Sequence, residues 1–172
     1  MRVIVRPARR AEAVTIADLH AASWRTAYAP IVRSRALGPD LNGERRRHWR
    51  TTLARTHPRD IVLIAEAKGE ALGFIAVWLD GARAFVDNLH VRPDLRGQRL
   101  GERLMRKAAR RARARGAKQM HLWTFTANGP AVRFYRGLGA VSDRREFSHS
   151  RLSPAPCQRL VWCRLDRLAA LA

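Results

Sequence analysis

A stretch near the middle of the chain combines residue types that bind anions at the start of a helix. Residues 85–91 alternate apolar side chains as a strand does, a turn with Pro93 follows, and residues 96–101 precede a helical pattern. The first amide groups of a helix lack an intrahelical acceptor, and the helix dipole adds about half a positive charge there. Glycine also lets the backbone approach a bound phosphate closely. We therefore predict an anion site formed by Arg96, Gly97, Gln98, Arg99, Leu100 and Gly101.

This stretch differs from two common nucleotide-binding motifs. Its glycines do not have the spacing of the Rossmann dinucleotide loop, and it lacks the Lys-Ser/Thr ending of a P-loop. The sequence therefore argues against NAD or a mononucleotide as the ligand.

Hydrophobic periodicity and Pro or Gly breaks predict the elements that position this site. The expected strands are residues 2–6, 61–67, 71–79, 83–91, 118–124, 140–147 and 158–165. The expected helices are residues 11–28, 41–56, 99–114 and 128–138, and a polar loop is expected at residues 148–156. An antiparallel meander followed by a strand–helix–strand–helix unit indicates an α/β (α+β) fold. We predict a mixed, mostly antiparallel sheet of about seven strands, flanked by four helices.

Composition indicates one cytoplasmic domain with an unusual charge. A chain of 172 residues that is 47% hydrophobic suits a single domain over residues 1–172. No apolar run approaches the ~20 residues of a membrane span, and no signal peptide is expected. Cys157 and Cys163 suit neither a disulfide framework nor a metal site, so we expect reduced thiols and no metal. The formal net charge of +20 indicates affinity for a polyanion.

Two segments resemble motifs of the GCN5-related N-acetyltransferase (GNAT) family. Residues 96–101 are similar to its acyl-CoA-binding loop, in which Arg or Gln is followed by two residues, Gly, one residue, and Gly or Ala. Arg99 stands where the family most often has its middle glycine. Residues 128–140 are similar to its pattern of Asn, two residues, Ala, two residues, Phe-Tyr, two residues and Gly. The resemblance implies an enzyme that transfers an acetyl group from acetyl-CoA to a primary amine.

The resemblance also assigns roles to individual residues. Tyr135 would be the general acid toward the CoA sulfur, with Arg133 and Arg136 as neighbours that could supply a positive field. The end of the strand at residues 83–91 would offer backbone groups to the pantetheine arm. Asn128 would bind that arm, cap its own helix, or do both. The implied cofactor-binding residues are Leu89, His90, Val91, Arg96, Gly97, Gln98, Arg99, Leu100, Gly101, Glu102, Asn128 and Tyr135.

The sequence does not decide which group accepts the proton from the amine. Asp87 is the best candidate, because some family members carry an acidic residue at this position, but a water could accept the proton instead. Asn88 and His90 are weaker alternatives, since strand alternation places them on the other face. The family's second type of base, a Glu five residues before Asn128, is replaced by Trp123.

The sequence also does not decide which residues bind the acceptor amine. Trp24 and Tyr28 are one helical turn apart, so they either line an acceptor cleft, as substrate-binding residues, or pack in the core. No motif identifies the amine. The resemblance leaves the oligomeric state undecided and allows a homodimer.

Two other functions compete with acetyl transfer. One is a catalytically silent regulator that binds acyl-CoA. The other is a nucleic-acid-binding module, which the net charge of +20 and the arginine-rich residues 99–115 would suit. No helix-turn-helix, zinc or RNA-binding aromatic signature is present, so we expect neither nucleic acid nor a membrane as a partner.

Overall fold

The computed structural model describes residues 2–148 and 154–170, except for the side chain of Arg35. Its strands are β1 Ile4–Pro7, β2 Ile61–Ala67, β3 Glu70–Asp80, β4 Arg83–Val91, β5 Gln119–Phe125, β6 Val141–Phe147 and β7 Pro156–Trp162. Its helices are α1 Ala13–Ala27, α2 Leu41–Arg55, α3 Leu100–Ala114, α4 Gly129–Gly137 and α5 Leu165–Ala170. Of the loop expected at residues 148–156, residues 149–153 lie outside the described part.

The strands form one mixed sheet. Their order is β1-β2-β3-β4-β5-β7-β6, and β4 with β5 is the parallel pair among antiparallel neighbours. A tight turn joins β2 to β3, and Lys68 and Gly69 both have a positive φ there. This geometry matches the twist of a two-residue hairpin. The predicted fold class is confirmed.

Both faces of the sheet are covered by helices. Helices α1 and α2 pack on one face, where Ile16, Trp49 and Phe74 are fully buried. Helices α3 and α5 pack on the other face, around Leu104 and Met105. Strands β2 and β3 are therefore buried on both sides, which explains their nearly continuous apolar sequence. No helix in the described part of the chain has the length and apolar character needed to cross a bilayer.

The end of the chain differs from the prediction. We expected a strand through residue 165, but β7 ends at Trp162, whose indole Nε1 donates a hydrogen bond to the Leu138 carbonyl at 2.9 Å. A fifth helix, α5, then begins at Leu165. Leu165, Leu168 and Ala169 are buried against α3 because they follow helical spacing. A helix of six residues carries too little periodicity to be recognised in the sequence.

Candidate active site

Strands β4 and β5 separate and open a cleft in the middle of the sheet. They pair only through Arg83–Phe85 of β4 and Gln119–His121 of β5, after which β4 continues to Val91 without that neighbour. The cleft has a volume of about 680 Å³ and is lined by the ends of both strands, the loop before α3, α1 and α4. The loss of pairing leaves one edge of β4 free to bind an extended ligand.

A bulge at Asp87 sets the direction of the side chains along the open part of β4. Ala76 pairs with Asn88 and Val77 pairs with Val86, so Asp87 is an extra residue in β4. Such an insertion interrupts the alternation of faces. Asp87 is exposed, and its Oδ2 accepts a hydrogen bond of 2.7 Å from Asn88 Nδ2. Strict alternation predicted that Asp87 and Asn88 lie on opposite faces of β4. Because of the bulge, this prediction is wrong.

The loop before α3 has the backbone of an anion-binding turn. Gly97 and Arg99 both have a positive φ, +81° and +57°. Arg99 is the N-cap of α3, and no side chain caps the amides that follow it. These amides are therefore open to a ligand. Position 99 is left-handed, which explains why the family favours glycine there and shows that arginine still adopts the same turn.

Gly101 lies where α3 approaches α4 most closely. A Cβ added to this residue would be 3.1 Å from Phe134 Cζ. The small residue at this position of the loop motif thus lets the first turn of α3 lie against α4, which carries Tyr135. Packing therefore links the two motifs that the sequence presented separately.

The free edge of β4 presents backbone groups to the cleft. On its other edge, Leu89, His90 and Val91 pair with Ile75, Phe74 and Gly73 of β3. All three β4 residues line the cleft. Because ladder groups alternate in direction along a strand, the unpaired edge offers both N–H and C=O groups to a ligand that lies alongside it.

Asn128 caps α4 at the opposite wall. Its Oδ1 accepts a hydrogen bond of 3.3 Å from the Ala131 amide, and the side chain is buried at the cleft surface. The capping role considered for Asn128 is thus present. The amide nitrogen of the same side chain can still donate to a ligand.

Tyr135 is partly buried in the cleft wall next to Phe134 and Trp162, with ring centroids 5.1 and 6.0 Å away. Burial raises the pKa of Tyr135, and the nearby Tyr28 raises it further. Within residues 2–148 and 154–170, its hydroxyl has no hydrogen-bond partner. The phenol is therefore protonated at neutral pH and able to donate to a ligand.

The structure does not place a positive field from Arg133 and Arg136 among the causes that set the pKa of Tyr135. Arg133 and Arg136 are both exposed, and neither offsets the effect of burial on the pKa of the phenol. Successive residues of a helix point in different directions, so neighbours in sequence need not share a surface.

Two buried histidines lie behind β4. The His90 ring stacks on His20 with centroids 4.5 Å apart, and its Nδ1 is 3.0 Å from Ser23 Oγ. Trp49 Nε1 donates to His20 Nδ1 at 3.0 Å. Burial lowers the pKa of His90 to about 3, and the cations Arg96 and Arg45 contribute to this shift. His90 is therefore neutral near pH 7 and only weakly basic.

The structure brings most of the predicted site residues together. Those that line the cleft are Tyr28, Asp87, Leu89, His90, Val91, Arg96, Gly97, Arg99, Leu100, Gly101, Glu102, Asn128 and Tyr135. Gln98 and Trp24 do not line it. Gln98 is exposed, and Trp24 packs its ring against Tyr28 and beneath the Arg45 guanidinium, which is 4.9 Å from the ring centroid.

The sequence interpretation missed one wall of the cleft. Ser23, Thr26, Ala27 and Pro30 line it from α1 and the turn after it. Thr26 Oγ1 accepts a hydrogen bond of 2.8 Å from Arg96 Nη2, which ties the loop to α1. The signal was the spacing of the small residues Ser23, Thr26 and Ala27 at i, i+3 and i+4, which indicates a helix face that leaves room for a ligand.

The fold and cleft define an α/β protein that can bind an extended, phosphate-bearing ligand between two diverging strands. Residues 16–140 match the family model described as Acetyltransferase (GNAT) family. Since this match covers well over half of the sequence, the chain belongs to the GNAT acetyltransferase family. The resemblance seen in residues 96–101 and 128–140 is confirmed.

One curated relative is a putative ribosomal protein bS18-alanine N-acetyltransferase from Bacillus subtilis (strain 168). It is 31% identical over 77 residues, which cover 45% of this chain and 51% of that protein. The chain therefore spans about half the length of that relative.

Two solved structures share the fold. PaiA N-acetyltransferase from Thermoplasma acidophilum, in complex with coenzyme A, has a TM-score of 0.74 at 17% identity, covering 92% of this chain and 98% of that chain. YncA, a putative acetyltransferase from Salmonella typhimurium with its cofactor acetyl-CoA, has a TM-score of 0.70 at 17% identity, covering 96% and 95%. At these identities the similarity establishes the fold.

Proposed function

We propose that the protein is an N-acetyltransferase that transfers an acetyl group from acetyl-CoA to a primary amine, which attacks the thioester directly. The observation that carries this proposal is the continuity of the cleft. It joins the N-terminus of α3, the free edge of β4 and the hydroxyl of Tyr135. These features match the phosphates, the pantetheine arm and the sulfur of acetyl-CoA in that order.

The chain offers suitable groups for each part of this co-substrate. The amides of Leu100, Gly101 and Glu102 and the cations Arg96 and Arg99 would bind the phosphates. The backbone of residues 89–91 would bind the pantetheine arm as an added strand, and Asn128 Nδ2 would donate to the same arm. We propose no role for Gln98, since it does not line the cleft.

Tyr135 would protonate the departing sulfur. A phenol near pKa ~10 is a weaker acid than a thiol near ~8.5, which makes full transfer uphill by about 2 kcal/mol in water. Burial increases the pKa of Tyr135, but the same apolar wall would also destabilise a thiolate and raise its affinity for a proton. The difference between the two groups, rather than either pKa alone, decides the direction of transfer.

Asp87 would receive the proton from the amine, directly or through one water. It lines the cleft on the strand that leads to Leu89, and its hydrogen bond from Asn88 fixes the orientation of the carboxylate. Because Asp87 is exposed, the acceptor would displace water from the carboxylate as it binds. As the amine nitrogen bonds to the acetyl carbon, the carbon–sulfur bond breaks. One proton then leaves toward Asp87 while another arrives from Tyr135.

Tyr28 would contact the acceptor together with Trp123, which also lines the cleft. Trp24 would act one step further away by packing on Tyr28, with ring centroids 5.1 Å apart.

The single-domain organisation, the cytoplasmic location and the homodimer stay predictions.

The test is a panel of amines with release of free CoA thiol as the readout. It should include a peptide with an N-terminal alanine, free amino acids, spermidine and kanamycin. Acetyl-CoA should raise the melting temperature, because a ligand at 100 times its Kd adds about 2.7 kcal/mol to the free energy of unfolding. A melting shift without thiol release for any amine would indicate the silent regulator. The absence of both would contradict the proposal.

A further inference from the structure

A second cavity lies on the outer side of α3. It has a volume of about 390 Å³ and is lined by Val5, Arg99, Glu102, Arg103, Arg106, Lys107 and Arg110. We name it the α3 groove. Five of its seven lining residues are cationic and one is anionic, so the formal charge of the lining is +4. Such a concentration of charge in a concave surface attracts anions strongly.

The cations of the α3 groove are held in place with little neutralisation. Arg106 pairs with Glu102. Arg103 Nη2 donates to the Val3 carbonyl at 2.8 Å, and Arg110 Nη1 donates to the Ala169 carbonyl at 3.1 Å. Carbonyl oxygens fix a guanidinium without cancelling its charge. In the described part of the chain, Arg99, Arg103, Lys107 and Arg110 make no ion pair.

These four cations form a regular row. Arg99, Arg103, Lys107 and Arg110 are spaced by four, four and three residues, so each lies about one turn after the last on the same face of α3. With a rise of ~1.5 Å per residue, the row is about 16 Å long. A row of this length is long enough to contact several consecutive phosphates of one strand.

We propose that the α3 groove binds the phosphate backbone of a nucleic-acid strand, next to the acetyl-transfer cleft and without recognition of the bases. The regular row of cations matches a regular row of phosphates. The site is therefore an anchoring surface added to the proposed enzyme, and it accounts for part of the net charge of +20.

A membrane surface fits the α3 groove less well than a nucleic acid. Membrane-bound surfaces combine cations with exposed apolar side chains that enter the lipid. In residues 2–148 and 154–170, the exposed large hydrophobic residues are Ile4, Val141 and Phe147, and none of them lines the groove. The groove is also concave, whereas a lipid surface is flat on this scale.

The cofactor is the second competitor for the groove. Arg99 and Glu102 line both the groove and the acetyl-transfer cleft, so the phosphates of CoA could extend across them. Arg103, Lys107 and Arg110 line the groove but not the cleft. Substitutions at these three positions therefore separate nucleic-acid binding from cofactor binding.

The experiment compares two triple variants with the same net charge. The groove variant is Arg103→Gln, Lys107→Gln, Arg110→Gln. The control variant, Arg47→Gln, Arg50→Gln, Arg113→Gln, changes exposed arginines outside the groove. Binding of fluorescent single-stranded RNA and DNA of mixed sequence is measured over a series of salt concentrations, with polyglutamate and anionic phosphatidylglycerol vesicles as other polyanions. Lys107→Glu, which breaks no hydrogen bond to the backbone, provides a second test if the groove variant loses stability.

The wild type should bind the oligonucleotides, and the groove variant should bind them much more weakly than the control variant does. Because single-strand binding gives a salt slope of about −0.7 per neutralised phosphate, loss of three cations should reduce the slope by about 2. The KM for acetyl-CoA should be unchanged. Equal loss in both triple variants would show diffuse attraction and overturn the proposal. A raised KM for acetyl-CoA in the groove variant, or tighter binding to vesicles or polyglutamate than to RNA and DNA, would also overturn it.

Discussion

Thr26 Oγ1 accepts a hydrogen bond of 2.8 Å from Arg96 Nη2, although the two residues are 70 positions apart in the sequence. The bond connects α1 to the loop that precedes α3, across one end of the cleft. The same hydroxyl donates to the Ser23 carbonyl at 3.0 Å, so α1 fixes the orientation of Thr26. The guanidinium of Arg96 is thereby directed toward the proposed phosphate site before any ligand arrives.

Thr26→Val should weaken acetyl-CoA binding without removing a charge. The substitution keeps the branched shape but leaves Arg96 without its acceptor, and a hydrogen bond to a charged group contributes about 1.5 kcal/mol. We expect the KM for acetyl-CoA to rise by roughly tenfold, with kcat little changed. Thr56→Val is the control, because Thr56 Oγ1 makes a comparable 2.8 Å bond to the Thr52 carbonyl outside the cleft. Equal KM values in both variants would contradict the proposed role of the bond.

Arg99→Gly should give a more stable protein than Arg99→Ala. Both variants remove the same cation, but position 99 has a φ of +57°, which costs an L-residue about 1 kcal/mol or more and costs glycine almost nothing. Glycine loses some of this advantage through the greater entropy of its unfolded chain. We expect the free energy of unfolding in urea to be higher for the glycine variant by roughly 0.5 kcal/mol. A more stable alanine variant would show that the turn rearranges when arginine is removed.

Local patterns predicted the elements of the sheet, whereas the two motifs at residues 96–101 and 128–140 came from the resemblance to the GNAT family. Strand β4 was predicted at residues 83–91 and is observed at Arg83–Val91, because Asp80 and Gly81 mark a turn before it and Pro93 marks its end. Helix α3 was predicted within one residue at its start. These boundaries are set by residues that are adjacent in the sequence, so they can be predicted from one sequence without a structure.

Features that depend on distant partners were not predictable. The bulge at Asp87 exists only relative to Ala76 and Val77 of the neighbouring strand, so strict alternation gave the wrong face. Trp24 was a candidate for the acceptor site, but Arg45 of α2 covers its ring. The bond from Arg96 to Thr26 requires α1 to lie beside the loop, which no spacing reveals.

Tyr135→Phe should lower kcat by roughly 10²-fold, the low end for loss of a general acid, and leave the KM for acetyl-CoA nearly unchanged. The ring keeps its contacts with Phe134 and Trp162, so only the hydroxyl is lost. Tyr28→Phe is the matched control, since Tyr28 is the other tyrosine of the chain and also lines the cleft. Wild-type kcat in the Tyr135 variant would assign this residue to packing alone.

Asp87→Asn should reduce kcat/KM most strongly at low pH, where more of the acceptor amine is protonated and removal of its proton limits the rate. The substitution is nearly isosteric, and Asn88 can still reach the side-chain oxygen at position 87. Asp80→Asn, at an exposed carboxylate on β3, controls for the change in net charge. Profiles of kcat/KM against pH that overlay for wild type and the Asp87 variant would assign the base to a water.

His90→Gln should make the protein less sensitive to acid. Burial lowers the pKa of His90 to about 3, against about 6.5 in an unfolded chain, with Arg96 and Arg45 contributing. Between these pH values the unfolded chain binds a proton that the folded chain excludes. The free energy of unfolding should therefore fall as the pH falls through this window, by about 1.4 kcal/mol per pH unit for one such histidine, and be regained above pH ~6.5. The His90→Gln variant has no histidine at this position, so its free energy of unfolding should fall less as the pH falls.

The measurement is urea denaturation at several pH values between about 4 and 7, in the window set by the His90 pKa. The slope should be shallower in His90→Gln than in wild type. Some slope should remain, because burial also lowers the pKa of His20, which stacks on His90. His57→Gln, at an exposed histidine, is the control. If the His90 and His57 variants showed the same slope, His90 would have to be accessible to protons in the folded state, and the enclosed histidine pair behind β4 would not exist in solution.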